Sequence, residues 1–260
     1  VILDRCVVSN NISGLAGGGL YTYKGGVCAV SNSLFFGNWS TNSFGGGLAT
    51  YFNNASTLFV DGSTFVSNIA RVSGGGVYAI GAKTPSSIRN CLIRGNRAEV
   101  GEFGLRGGGG VALYTPNMLM SSCTIIENDA GSAKGGGLFL ADAFVKNCII
   151  YGNTATNQTS LYAEVDFMQW YRYTNAWNTC ESKGRLATFQ NNITNDPKFA
   201  SAATGDFRLL RRSPCFNTGT NEDWMATARD FDGAKRICGP RVDMGAYEYF
   251  YPAGLVIVVR

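Results

Sequence analysis

Apolar and polar positions alternate in short runs along the first 155 residues, and the runs recur. Leu20-Tyr21-Thr22-Tyr23, Cys28-Ala29-Val30, Leu58-Phe59-Val60 and Phe139-Leu140 lie between Gly and Asn residues. No stretch longer than about ten residues carries apolar positions at helical spacing without such an interruption, so the pattern predicts short strands joined by turns, with helices incidental.

Two markers give the period. A glycine triplet followed by a branched apolar residue starts at Gly17, Gly45, Gly74, Gly108 and Gly135, with 28, 29, 34 and 27 residues between starts. In phase with it runs [Cys/Ser]-x-apolar-x-x-Asn: Cys6-Val8-Asn11, Ser33-Phe35-Asn38, Ser63-Phe65-Asn68, Cys91-Ile93-Asn96, Cys123-Ile125-Asn128 and Cys148-Ile150-Asn153. Short strands, turn residues and this period predict a β-solenoid in which each repeat is one coil of two or three strands. Successive coils then stack into parallel sheets about 4.8 Å apart.

Stacking puts equivalent residues directly above one another. Asn11, Asn38, Asn68, Asn96, Asn128 and Asn153 are therefore expected to form an inward ladder at one corner, their amides bonded to the backbone and to each other along the axis. The glycine triplets supply positive φ and close approach at another corner. Cys6, Cys91, Cys123 and Cys148 share one phase and are expected to be a buried thiol ladder, since parallel side chains about 4.8 Å apart exceed the Cβ separation a disulfide prefers. Cys28, Cys180, Cys215 and Cys238 leave several disulfide pairings open.

These repeats resemble those of bacterial right-handed parallel β-helix proteins, including polymorphic outer-membrane proteins and autotransporter passengers. Further on, Asn192–Phe199, Gly205-Asp206-Phe207-Arg208-Leu209, Ser213–Gly219, Asp230–Arg236 and Val242–Tyr249 resemble the closing segment of secreted bacterial β-helix proteins with a choice-of-anchor domain. The resemblance implies an all-β, right-handed parallel β-helix with an irregular C-terminal closing segment, and a secreted or cell-surface location. The expected organisation is β-helix repeats over 1–155, C-terminal coils and the irregular segment over 156–249, and an apolar β-prone tail over 250–260.

Composition narrows the chemistry. Charged residues are 15% of the 260, against about 25% in an average globular chain, and glycine is abundant at 34. The chain has no His, which removes the commonest general base and transition-metal ligand. The net charge of +4 is spread along the chain, so no nucleic-acid footprint emerges. The longest unbroken apolar run, Leu255–Val259, is far short of the ~20 residues of a membrane span.

The densest departure from the repeat is Leu161–Trp177. Tyr162, Glu164, Asp166, Trp170, Tyr171, Arg172 and Trp177 combine flat apolar rings with carboxylates and a guanidinium, the chemistry of a glycan-binding surface. Simple coverage of the solenoid flank is the competing reading. No cofactor is expected, with Ca²⁺ at Glu164 and Asp166 the one candidate. Arg94 and Arg97 face Glu127 and Asp129 in adjacent coils as surface ion pairs, or as half of a lyase-like site. Asp230-Asp232-Gly233 reads as a turn more readily than as a calcium loop.

No catalytic set is visible. The sequence therefore points to an extracellular or cell-surface structural or adhesive protein, with a polysaccharide lyase or glycoside hydrolase acting on an anionic glycan as the alternative. Neither end carries a recognisable cap, which predicts end-to-end self-association or neighbouring domains of a longer chain, with Leu255, Val256, Ile257, Val258 and Val259 as the joining strand.

Overall fold

The computed structural model describes residues 1–51, 57–82, 85–99, 107–115, 118–140, 143–155 and 195–250, together with the backbones of strands 165–167, 175–177, 180–181 and 189–190. Four parallel sheets wrap a solenoid. Sheet 1 stacks eight strands: Ile2–Asp4, Val27–Ser31, Thr57–Asp61, Ser87–Arg89, Leu119–Ser121, Phe144–Lys146, Asn175–Trp177 and Phe189–Gln190. Sheet 2 stacks seven, from Val7–Ser9 through Leu34–Phe36, Thr64–Val66, Leu92–Arg94, Thr124–Ile126 and Ile149–Tyr151 to Cys180–Glu181. Sheet 3 has four two-residue strands, Ile12–Ser13, Trp39–Ser40, Ile69–Ala70 and Arg97–Ala98. Sheet 4 holds six: Leu20–Tyr23, Leu48–Tyr51, Val77–Ile80, Val111–Tyr114, Leu138–Leu140 and Val165–Phe167.

The early coils thus carry four strands each, one more than the pattern suggests. The added strand is the pair of residues after each ladder Asn, and two residues are too few to register as an alternation. Helix in the described residues is confined to two 3₁₀ turns, Ala202–Thr204 and Asp223–Ala226.

Pairing between coils is in register in all four sheets, so alternation within one strand becomes a column along the rod. Phe35, Phe65, Ile93, Ile125 and Ile150 form one inward column, fully buried. The Phe35 and Phe65 rings stack 4.8 Å apart at 14°, the spacing of strands in a sheet. Val30, Val60, Ile88, Met120 and Val145 face them from sheet 1, and Leu48, Val77, Val111 and Leu138 from sheet 4. Each such side chain contributes about 1.5–3 kcal/mol by leaving water.

Two corners of every coil turn through left-handed backbone. One column is Arg5, Asn32, Gly62, Asn90, Ser122 and Asn147; the other is Asn10, Gly37, Ser67, Gly95, Glu127 and Gly152. Each residue immediately precedes an inward-pointing polar side chain. Positive φ bends the chain so that this next side chain enters the interior, and Asn, Gly and Ser tolerate the conformation best.

After the second column come the asparagines. In Asn68 the backbone N–H and the amide Nδ2 both donate to Asn96 Oδ1, at 3.0 and 2.9 Å, while Nδ2 also donates to the Phe35 carbonyl at 2.9 Å. The same three bonds recur from Asn38 and Asn96, and Asn128 donates to Asn153 in the same way. Asn11 joins through its N–H and Nδ2 to Asn38 Oδ1. Side-chain amides thus saturate one another at a corner where strand pairing stops.

After the first column come the Cys and Ser residues. Ser33 Oγ donates to the Ser31 carbonyl and accepts the Cys6 N–H; Cys148 Sγ donates to the Lys146 carbonyl and accepts the Cys123 N–H. Thiol and hydroxyl fill the same role, which is why both residue types occupy this phase. Burial pushes the Cys123 and Cys148 thiols well above the ordinary range, so they persist as thiols rather than reactive thiolates. Cys28, Cys215 and Cys238 are also free thiols.

Residues 195–250 close the side of the rod rather than its end. A hairpin of Phe199–Ser201 against Asp206–Leu209 brings Phe207 and Leu209 onto outward-facing residues of sheet 2. Leu92 and Ile126 pack with Phe207, Ala246 and Tyr247, and Ile149 packs with Leu209, Cys215 and Met244. The Ala246 N–H donates to Thr124 Oγ1 at 3.0 Å, Thr220 N–H to Asn147 Oδ1 at 2.8 Å, and Lys146 pairs with Glu222 at 3.3 Å. The Arg89 guanidinium lies 4.8 Å over the Trp224 ring.

Inside this segment Arg236 is fully buried, its Nη2 donating to the carbonyls of Asp243 and Gly245 and lying 3.5 Å from Glu248 Oε1. Burial is the main cause raising the Glu248 carboxyl to about 8; Arg236 opposes it and Asp243 reinforces it. The unfolded chain gives up this proton near 4.5, so between about 4.5 and 8 the folded protein holds a proton that the unfolded chain has lost. Stability therefore falls as pH rises through that window. Urea unfolding at pH 5 and pH 8.5 is expected to show this drop, and Glu248→Gln, which keeps an acceptor for the Asp243 N–H, is expected to flatten it. An equal drop in the variant would assign the effect elsewhere.

Candidate binding face

Of the residues that sequence density groups together, the structure places the backbones of two. Asp166 lies in the sheet 4 strand paired with Leu138–Leu140, and Trp177 lies in the sheet 1 strand paired with Phe144–Lys146. They belong to different sheets of the coil, and their side chains lie outside the description. Tyr162, Glu164, Trp170, Tyr171 and Arg172 lie outside the described residues, as do Leu255, Val256, Ile257, Val258 and Val259.

The charged pairs of the adjacent turns are where the sequence puts them. Arg94 Nε sits 2.7 Å from Glu127 Oε2, and Arg97 Nε 3.6 Å from Asp129 Oδ2. Glu127 occupies left-handed backbone where three other coils have Gly, and it lines a cleft of about 310 Å³ with Tyr151, Lys198 and Phe207. The Arg94 guanidinium lies 5.0 Å over the Phe207 ring while it bonds Glu127. Held from both sides, it ties the 195–250 segment to the rod, a positioning use of its charge.

Asp230 shows a comparable economy. Its Oδ1 accepts the N–H groups of Asp232 and Ala234 and its Oδ2 accepts that of Glu248. The Asp-x-Asp-Gly stretch is a backbone turn whose first carboxylate is satisfied by amides. Among the described residues no group of three His, Cys, Asp or Glu side chains is arranged to hold a metal ion. Nor, among them, is any helix long and apolar enough to cross a membrane.

An open aromatic surface lies instead on sheet 4. The first five strands of that sheet, Leu20–Tyr23 to Leu138–Leu140, each follow a glycine triplet, so the first residue points inward and the second outward. Register aligns Tyr21, Ala49, Tyr78, Ala112 and Phe139 in one outward column, and Tyr23, Tyr51, Ile80 and Tyr114 in the next. Large and small residues alternate along the first column. The small ones leave notches, and Phe44, just before the second triplet, stacks on Tyr78 at 4.5 Å and 18° to wall one of them.

The notch above Ala49 is a groove of about 330 Å³ bordered by Tyr21, Tyr23, Tyr51, Phe44 and Tyr78. Tyr21 and Tyr23 rings are 6.1 Å apart, and Tyr23 and Tyr51 rings 5.8 Å. Those three rings are 40%, 53% and 47% exposed, while Tyr78 and Phe139 farther along the sheet are 6% and 1%. The signal for this surface was present in the sequence at a fixed offset from each triplet, but only register turns it into a column. Burial raises the Tyr21 phenol, with Tyr23 and Tyr51 adding to the shift. Each phenol offers a hydroxyl able to donate and accept.

A family model described as "Right handed beta helix region" matches residues 1–205. A search of curated proteins finds no match.

Proposed function

The chain belongs to the right-handed β-helix family, and from that premise we propose that it is an extracellular or cell-surface structural protein with an adhesive role. The observation that carries this reading is the unbroken amide ladder from Asn11 to Asn153. It holds the rod together from inside, so the lateral faces are free to vary without loss of the fold. A rigid rod with variable faces suits display and contact.

End-to-end contact is the mode of assembly that fits this role. The strands Ile2–Asp4, Val7–Ser9, Ile12–Ser13 and Leu20–Tyr23 lie at the outer edge of all four sheets. Ile2, Val7 and Ile12 beside them are 79%, 70% and 70% exposed. Open sheet edges flanked by apolar side chains accept further strands, from a second rod or from further coils of a longer polypeptide. Negative-stain microscopy with light scattering tests it: rods joined lengthwise, growing with concentration, are the expected result. Uniform monomers at every concentration would remove the assembly reading.

A further inference from the structure

We propose that the groove above Ala49 binds an uncharged polysaccharide, its sugar rings laid on Tyr21, Tyr23 and Tyr51; this names the ligand class for the adhesive reading and rests on it. Three observations lead there. Tyr21 is 40% exposed where Tyr78 and Phe139, the rings of its own column, are buried, and Tyr23 and Tyr51 beside it are about half exposed. The groove has the size range of small-ligand sites, and half of its described lining residues are aromatic. Its border offers hydroxyls on the three tyrosines and on Ser43, and every described residue lining it is uncharged.

That last feature selects among occupants. A pyranose has an apolar C–H face that lies on an aromatic ring and equatorial hydroxyls that need donors and acceptors at the rim, which phenols provide. An anionic polymer would bring carboxylates to a surface whose nearby cation, Lys24, is 4.9 Å from the Tyr23 ring centroid and held over its face. A purely apolar peptide would leave the phenol hydroxyls without partners. The tilt between successive rings, 32° and then 37°, makes a shallow twisted platform suited to successive sugars of one chain.

The test is native affinity electrophoresis of the full chain through gels containing laminarin, galactomannan, xyloglucan or dextran, with polygalacturonate and alginate as anionic polymers. Retardation by at least one neutral polymer is expected, weakened at least tenfold by the double substitution Tyr23→Ala/Tyr51→Ala. Ala49→Leu fills the notch while keeping all the rings, and is expected to weaken retardation as well. Circular dichroism and thermal melting of both variants show that the rod persists. No retardation by any neutral polymer, stronger retardation by the anionic ones, or retardation unchanged in both folded variants would overturn the proposal. Microscopy reads the rods and their joining without any glycan, so a failure here leaves the scaffold reading standing and a failure there leaves this one.

Discussion

Asn96→Ala is expected to cost more stability than almost any other single side-chain truncation in this protein. Its Oδ1 accepts the Asn68 N–H and amide at 3.0 and 2.9 Å, and its Nδ2 donates to the Phe65 carbonyl at 2.8 Å and to Asn128 Oδ1 at 3.0 Å. Truncation orphans two N–H donors of Asn68 and takes one bond each from the Phe65 carbonyl and Asn128 Oδ1, all buried. An orphaned buried group costs about 1–3 kcal/mol, so the loss is about 2–6 kcal/mol, a large share of a typical 5–15 kcal/mol. Alanine also leaves a cavity that stacked coils cannot close. Asn11→Ala is the internal control. That residue is exposed and its amide is bonded to Asn38 alone, so its loss is expected to cost about 1 kcal/mol. Asn96→Asp separates acceptor from donor, because aspartate still accepts from Asn68 but donates to neither Phe65 nor Asn128. Urea unfolding midpoints give the comparison, and equal midpoints for Asn96→Ala and Asn11→Ala would mean that the ladder is ornament on a core-stabilised rod.

How far such a ladder can be read from sequence follows from its physics. Each Asn and each Cys or Ser meets its counterpart one coil away, so selection for stacking writes the same residue type at every coil, and the marker survives repeat lengths of 27, 30, 28, 32 and 25 residues. The family assignment and the inward columns follow directly. The sheet 4 groove is another matter. Tyr21, Ala49 and Tyr78 differ from coil to coil because nothing inside the rod requires them to agree, and only the register places them side by side. The 195–250 segment was legible even less. Its contacts run from Ala246 to Thr124 and from Arg229 to Asn90, pairings that no local period encodes. Of the residues grouped by nearness in sequence between Leu161 and Trp177, Asp166 and Trp177 fall on two different sheets of the coil.

The glycine corner carries the second large prediction. Gly75→Ala is expected to prevent folding, although it adds a single methyl group. A Cβ at this position would lie against the Gly109 carbonyl oxygen and, at 2.5 Å, against both the backbone N and the backbone O of Arg97. All three are main-chain atoms of the adjoining coil, and the coil is held in register by Gly75 N–H to the Gly108 carbonyl at 3.2 Å and Val77 N–H to the Gly110 carbonyl at 3.0 Å. Relief by rotating a side chain is therefore impossible, and the two coils would have to separate along their whole length. Gly152→Ala is the matched comparison. Gly152 has positive φ, +69°, which Gly75 lacks, and a Cβ there meets nothing within 4 Å, so only the backbone penalty of about 1–2 kcal/mol applies. Soluble yield and thermal melting of the two variants decide between close approach and φ as the reason for the triplet. A folded Gly75→Ala protein melting within a few degrees of Gly152→Ala would show that the coils have slack where they are drawn tightest.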